Sequence, residues 1–167
     1  MSSAATTDPT CRICAVSSGA VEPPHGLLYQ DDLWVVRHSA PPYGVAGWLT
    51  IHTRRHVPEP ADFTDAEARA FGPTLRYFEG VLREITGALR IYTAAMGESF
   101  PHFHCHMVPR YAETPNDVKA WGVFDLSRQA AEGIVQVDEG EVKRIVAAFR
   151  ERVASGVPPL DAAAVSA

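Results

Sequence analysis

Between His102 and Val108 histidines alternate with apolar side chains: His102, Phe103, His104, Cys105, His106, Met107, Val108. A period of two belongs to a β-strand, whose successive side chains point to opposite faces. The stretch from Pro101 to Val108 therefore reads as a strand, with three imidazoles on one face and Phe103, Cys105 and Met107 on the other. One face carries chemistry and the other core. Pro109 is expected to end the strand.

The remaining elements follow from changes of period. Leu27 to Tyr29 and Leu33 to Arg37 read as a hairpin with its turn at Gln30, Asp31 and Asp32, and Trp48 to His52 as a further strand. Thr64 with Glu67 forms a capping box, and Ala68, Phe71, Leu75, Phe78, Leu82 and Ile85 recur at spacings of three and four, so a core-facing helix is expected up to Gly87. Pro73 inside it predicts a kink. Arg90 to Ala95 has strand character, and Asp138 with Glu141 opens a second helix through Val142, Ile145, Val146, Phe149 and Val153. This order predicts an α+β domain on an antiparallel sheet of about five strands, with one long central helix and a C-terminal helix. The domain is expected over 11–155, with 1–10 flexible and 156–167 a disordered tail.

Composition narrows the function. The chain has 167 residues, 46% of them hydrophobic, enough to bury one core but not two. A formal charge of −5 argues against polymeric nucleic acid as a partner, while leaving a small anionic substrate open. No apolar leader or membrane span is visible, so the expected compartment is the cytoplasm. Three cysteines do not make a disulfide framework, and Cys11-x-x-Cys14 points to metal or redox chemistry.

Histidine titrates near neutrality and serves both proton transfer and nucleophilic attack. The alternating run admits a metal centre built on His-x-His, or an imidazole that attacks phosphorus and forms a covalent intermediate. The pattern His-φ-His-φ-His-φ-φ followed by Pro109 and Arg110 resembles the histidine triad superfamily of nucleotide hydrolases and transferases. Cys11-x-x-Cys14, the strand leading into Arg54, Arg55 and His56, the intervening helix and Gly97-Glu98-Ser99 fall in that family's order.

The resemblance implies a histidine triad fold in which His104 is the nucleophile, His106 orients phosphate oxygens and supports proton transfer, and Ser99 hydrogen-bonds near the leaving group. It implies a homodimer acting on nucleoside phosphate esters, phosphoramidates or dinucleoside polyphosphates through a nucleotidyl-histidine intermediate. It also implies structural Zn²⁺ held by Cys11, Cys14, His56 and His102, with His25, His38 and His52 as rival ligands. The sequence departs from the family at His38, Ser39 and Ala40, where an Asp or Asn commonly meets the ribose, and at Glu98 and His52. Tyr111 and Trp121 are candidates for stacking on a base. The competing expectations are an enzyme of this ancestry turned to another small-molecule reaction, and a non-catalytic zinc-stabilised binding module.

Overall fold

The computed structural model of the chain describes residues 7–156. Residues 1–6 and 157–167, which make up most of the two ends expected to be flexible, lie outside the described residues. The elements in chain order are α1 (Arg12–Ser17), β1 (Leu27–Gln30), β2 (Trp34–His38), β3 (Leu49–Thr53), α2 (Asp65–Thr86), β4 (Arg90–Ala94), β5 (His104–Arg110), α3 (Asp125–Ala131) and α4 (Glu139–Ala154). The strands form one antiparallel sheet in the order β1-β2-β3-β5-β4, so the fold is α+β as the pattern predicts.

Each face of the sheet is set by alternation. Trp34 and Val36 of β2, Leu49 and Ile51 of β3, and Cys105 and Met107 of β5 point to one side, where Phe78, Val81 and Leu82 of α2 and Val142, Ile145 and Phe149 of α4 close over them. Removal of this apolar surface from water is the main stabilising term. The opposite face carries Arg37, Thr50, His52, His104 and His106, with Thr50 opposite His106 and His52 opposite His104 across the β3–β5 pair.

Local chemistry sets the ends of the long helix. The Thr64 hydroxyl accepts from the Glu67 amide at 3.2 Å, and the Glu67 carboxylate accepts from the Thr64 amide at 2.7 Å. Glu67 is buried and is bound at 2.8 Å by Arg55, which ties the start of α2 to the segment after β3. Gly87 ends the helix at φ 66°, a left-handed conformation that costs glycine little. The helix continues through Pro73 over all 22 residues.

The structure corrects the pattern at three points. The histidine strand begins at His104, so His102 belongs to the segment leading into it. Pro109 does not end the strand but pairs with Ile91, and Arg110 with Arg90. β3 pairs only with His104–Met107, so Pro109 lies where β5 is bonded along one edge, a position that tolerates a missing donor. Two helices, α1 and α3, have no counterpart in the expected elements; at six and seven residues they are too short to show a helical period.

Phe78 is fully buried, against Tyr29 at 5.0 Å and Phe149 at 5.8 Å between ring centroids. Phe78→Ala should cost about 3–5 kcal/mol and Thr64→Ala only about 1 kcal/mol in urea unfolding. Equal costs would contradict this division between core and cap.

Candidate active site and Cys/His cluster

The site is built around the segment that enters β5. The His102 ring is fully buried, and its Nε2 donates to the Thr53 carbonyl at 2.8 Å, leaving Nδ1 with its lone pair free. That Nδ1 lies 3.6 Å from Cys11 Sγ and 3.5 Å from Cys14 Sγ, while His56 Nδ1 lies 3.4 Å from Cys14 Sγ. The four ligand atoms all fall within 4.8 Å of one another. Two thiols and two imidazoles in this arrangement suit a tetrahedral divalent cation of intermediate softness. The surroundings also fit: a carbonyl fixes the His102 ring, Asp8 Oδ2 lies 4.0 Å from His56 Nε2, and the Asp8 amide donates to Cys14 Sγ at 3.4 Å. Helix α1 supplies Cys14 and, one turn on, Ser17, which lies 3.5 Å from His52 Nδ1. All three cysteines are unpaired.

The backbone of His102 acts on the next histidine. His104 Nδ1 lies 2.8 Å from the His102 carbonyl oxygen, and because a carbonyl can only accept, Nδ1 carries the proton. In the neutral ring, Nε2 is then an unprotonated lone pair. His106 has the opposite tautomer: Trp48 Nε1 donates to His106 Nδ1 at 3.1 Å, so its Nε2 bears the hydrogen. The two rings stand edge to face with centroids 5.2 Å apart. Together they present a nucleophilic nitrogen beside a neutral N–H donor.

The third of the chain after the triad walls one end of this face. Phe124 packs 5.6 Å from Trp48 and 5.9 Å from His106 between ring centroids, and Val123 joins Val45, Trp48 and Val108 in a second apolar cluster. Trp121, 76% exposed, stands beside Phe124, whereas the Tyr111 hydroxyl donates to the Ala46 carbonyl and is committed to packing. On the other side His104 borders a hollow of about 130 Å³ between Pro58–Pro60 and Ala95–Gly97. Ser99 is exposed in the loop before β5 and has no hydrogen-bond partner among the described residues. Glu98 is exposed in the same loop.

The rival histidines are placed elsewhere. His38 is buried, donating from Nδ1 to the Ser39 carbonyl and accepting the Gly47 amide at Nε2. His25 Nε2 meets the Tyr43 hydroxyl at 2.7 Å. His52 is fully buried on the histidine face, where its Nδ1 donates to the Thr53 carbonyl and its Nε2 has no partner. Trp48, Asp8 and Arg37 were not among the residues expected at the site. Alternation along β2, with Trp34 and Val36 facing the core, was a signal that could have placed Arg37.

No family model matches the sequence, and no curated protein is a significant match. Solved structures do match. A hypothetical histidine triad nucleotide-binding protein from Sulfolobus tokodaii superposes with a TM-score of 0.64 at 13% identity, over 87% of this chain and 93% of that one. A zinc-bound histidine triad family protein from Mycobacterium smegmatis gives 0.61 at 17% identity, over 88% and 98%. A histidine triad protein from Bradyrhizobium japonicum gives 0.57 at 23% identity, over 76% and 89%. The chain has the histidine triad fold, and its Cys/His cluster has the donor set of a zinc site.

Burial holds three histidines neutral: it pulls His38 and His106 down to about 4 and His52 to about 3, against an ordinary value of 6.5. The unfolded chain takes up these protons near pH 6.5 and the folded chain does not, so stability is full above that pH and falls as pH drops toward 4. Each histidine adds up to about 1.4 kcal/mol per pH unit to the slope. Urea midpoints should therefore decline between pH 7 and 4.5, and less steeply for His52→Leu. An identical slope for that variant would contradict the account.

Proposed function

We propose that the protein is a hydrolase or transferase of nucleoside phosphate esters, phosphoramidates or dinucleoside polyphosphates, working through a covalent histidine intermediate. The observation that carries this reading is the 2.8 Å hydrogen bond from His104 Nδ1 to the His102 carbonyl, which leaves the Nε2 lone pair free on a half-buried ring that borders a hollow. His104 Nε2 attacks phosphorus, an N–P bond forms and the bond from phosphorus to the leaving group breaks. Water or another acceptor then displaces the histidine, restoring the ring. His106 Nε2–H donates to a phosphate oxygen and stabilises the charge that builds there. Ser99, exposed in the loop before the triad, is assigned to the leaving group on the family resemblance.

Cys11, Cys14, His56 and His102 would hold structural Zn²⁺, which when bound adds its binding energy to folding and fixes α1 against the lead into β5. A homodimer is supported by the unpaired outer edge of β4 and by the open groove of about 590 Å³ that Arg76, Gly80, Arg83 and Ile91 line between α2 and β4. Reduced thiols suit a cytoplasmic setting, and no helix among the described residues is long and apolar enough to cross a membrane.

Two measurements test this reading. Adenosine phosphoramidate or diadenosine polyphosphate should release nucleotide, with His104→Ala losing about 10³-fold or more in turnover at unchanged thermal stability. Absence of release by the wild type overturns the substrate class. Metal analysis should find stoichiometric zinc in the wild type and little in Cys14→Ser, with a lower melting temperature for the variant. Equal zinc in both overturns the ligand set.

A further inference from the structure

Arg37 is the penultimate residue of β2 and lies on the histidine face, in one row across the sheet with Thr50 and His106. Most of its side chain is out of water, and its buried Nε has no partner. Its one hydrogen bond, from Nη1 to the His38 carbonyl, is long at 3.5 Å. Arg55, Arg69, Arg128, Arg144 and Arg152 are paired with acids, while of the arginines without an acid Arg12, Arg76, Arg83, Arg90 and Arg150 are exposed to water and only Arg37, Arg54 and Arg110 are partly buried. Among the described residues no carboxylate lies within ion-pair distance of Arg37 or of Arg12. Taking a guanidinium out of water without a counter-charge is costly, so its retention here needs a compensating interaction.

The surroundings show what could compensate. The positive charge of Arg12, exposed on α1, acts on Arg37, and that of Arg37 acts in turn on His52 and His106. Arg37 and His106 share one row of this face, with Thr50 between them, and Arg12 is close enough for its charge to be felt at Arg37. Guanidinium groups bind carboxylate and phosphate through paired N–H donors, which a neutral sugar hydroxyl does not exploit.

We propose that Arg37, assisted by Arg12, is a specificity-determining subsite for a second anionic group of the substrate, so that the molecule reacting at His104 is a phosphate compound bearing a further carboxylate or phosphate. This rests on the phosphorus chemistry assigned to His104 above, and it narrows the substrate class. Nucleosides without such a group are poorer partners for this face.

Three probes that need no turnover test it by calorimetric titration of the intact protein at fixed ionic strength: ethyl phosphate, 2-phosphoglycolate and ethylene glycol bisphosphate. Both diacids should bind the wild type about tenfold or more tightly than ethyl phosphate. That advantage should vanish in Arg37→Gln, shrink in Arg12→Gln and survive in part in Arg37→Lys. The better of the two diacids distinguishes carboxylate from phosphate as the second group. Equal binding of all three probes by the wild type, or an advantage that persists in both glutamine variants, overturns the subsite. Because Arg12 is exposed, its variant keeps the test decisive if Arg37→Gln fails to fold. Failure of ethyl phosphate alone to bind counts against phosphorus chemistry at His104, while the preference for the diacids still decides the subsite.

Discussion

The carbonyl of His102 ties the two halves of the site together. It accepts from His104 Nδ1, and it stands on a residue whose ring is fully buried, bound through Nε2 to Thr53 and turned through Nδ1 toward Cys11 and Cys14. A hydrogen bond can fix a tautomer only if its acceptor is itself held in place. The Cys/His cluster, α1 and the end of β3 provide that hold, so the state of His104 depends on residues that never meet a substrate.

Burial sets the remaining chemistry. His106 lies under Trp48 and Phe124, which keeps it neutral and leaves its N–H as a donor rather than a charge. The residues after the triad therefore do more than extend the fold, since Phe124 packs on His106 and helps remove it from water, with Val123 packed in the apolar cluster around Trp48. On the β2 side the same face keeps Arg37 largely buried without an acid. A sheet with an apolar core on one side thus carries fixed dipoles and cations on the other, where the negatively charged substrate of the proposed function would meet groups already in position.

Much of this was legible in the sequence because it depends on local periods. Alternation gave the two faces of the histidine strand, and Thr64 with Glu67 marked the start of α2. The Cys/His cluster was legible only through the family resemblance, because Cys11 and His102 are 91 residues apart and nothing local links them. Three features were not legible. Helices α1 and α3 are too short for periodicity to register. Pro109 reads as a strand end until it is known that β3 stops short of it. The contact of Trp48 with His106 arises from register across β3 and β5, which a single sequence does not specify.

The central claim is that His104 presents an unprotonated Nε2 because its Nδ1–H is held by His102. Long-range ¹H–¹⁵N correlation spectra of the histidine rings, recorded at a pH where His104 is neutral, measure this directly. The account predicts that the His104 proton resides on Nδ1, with an Nε2 shift typical of an unprotonated nitrogen. A proton on Nε2, or rapid averaging between the two nitrogens, would contradict it.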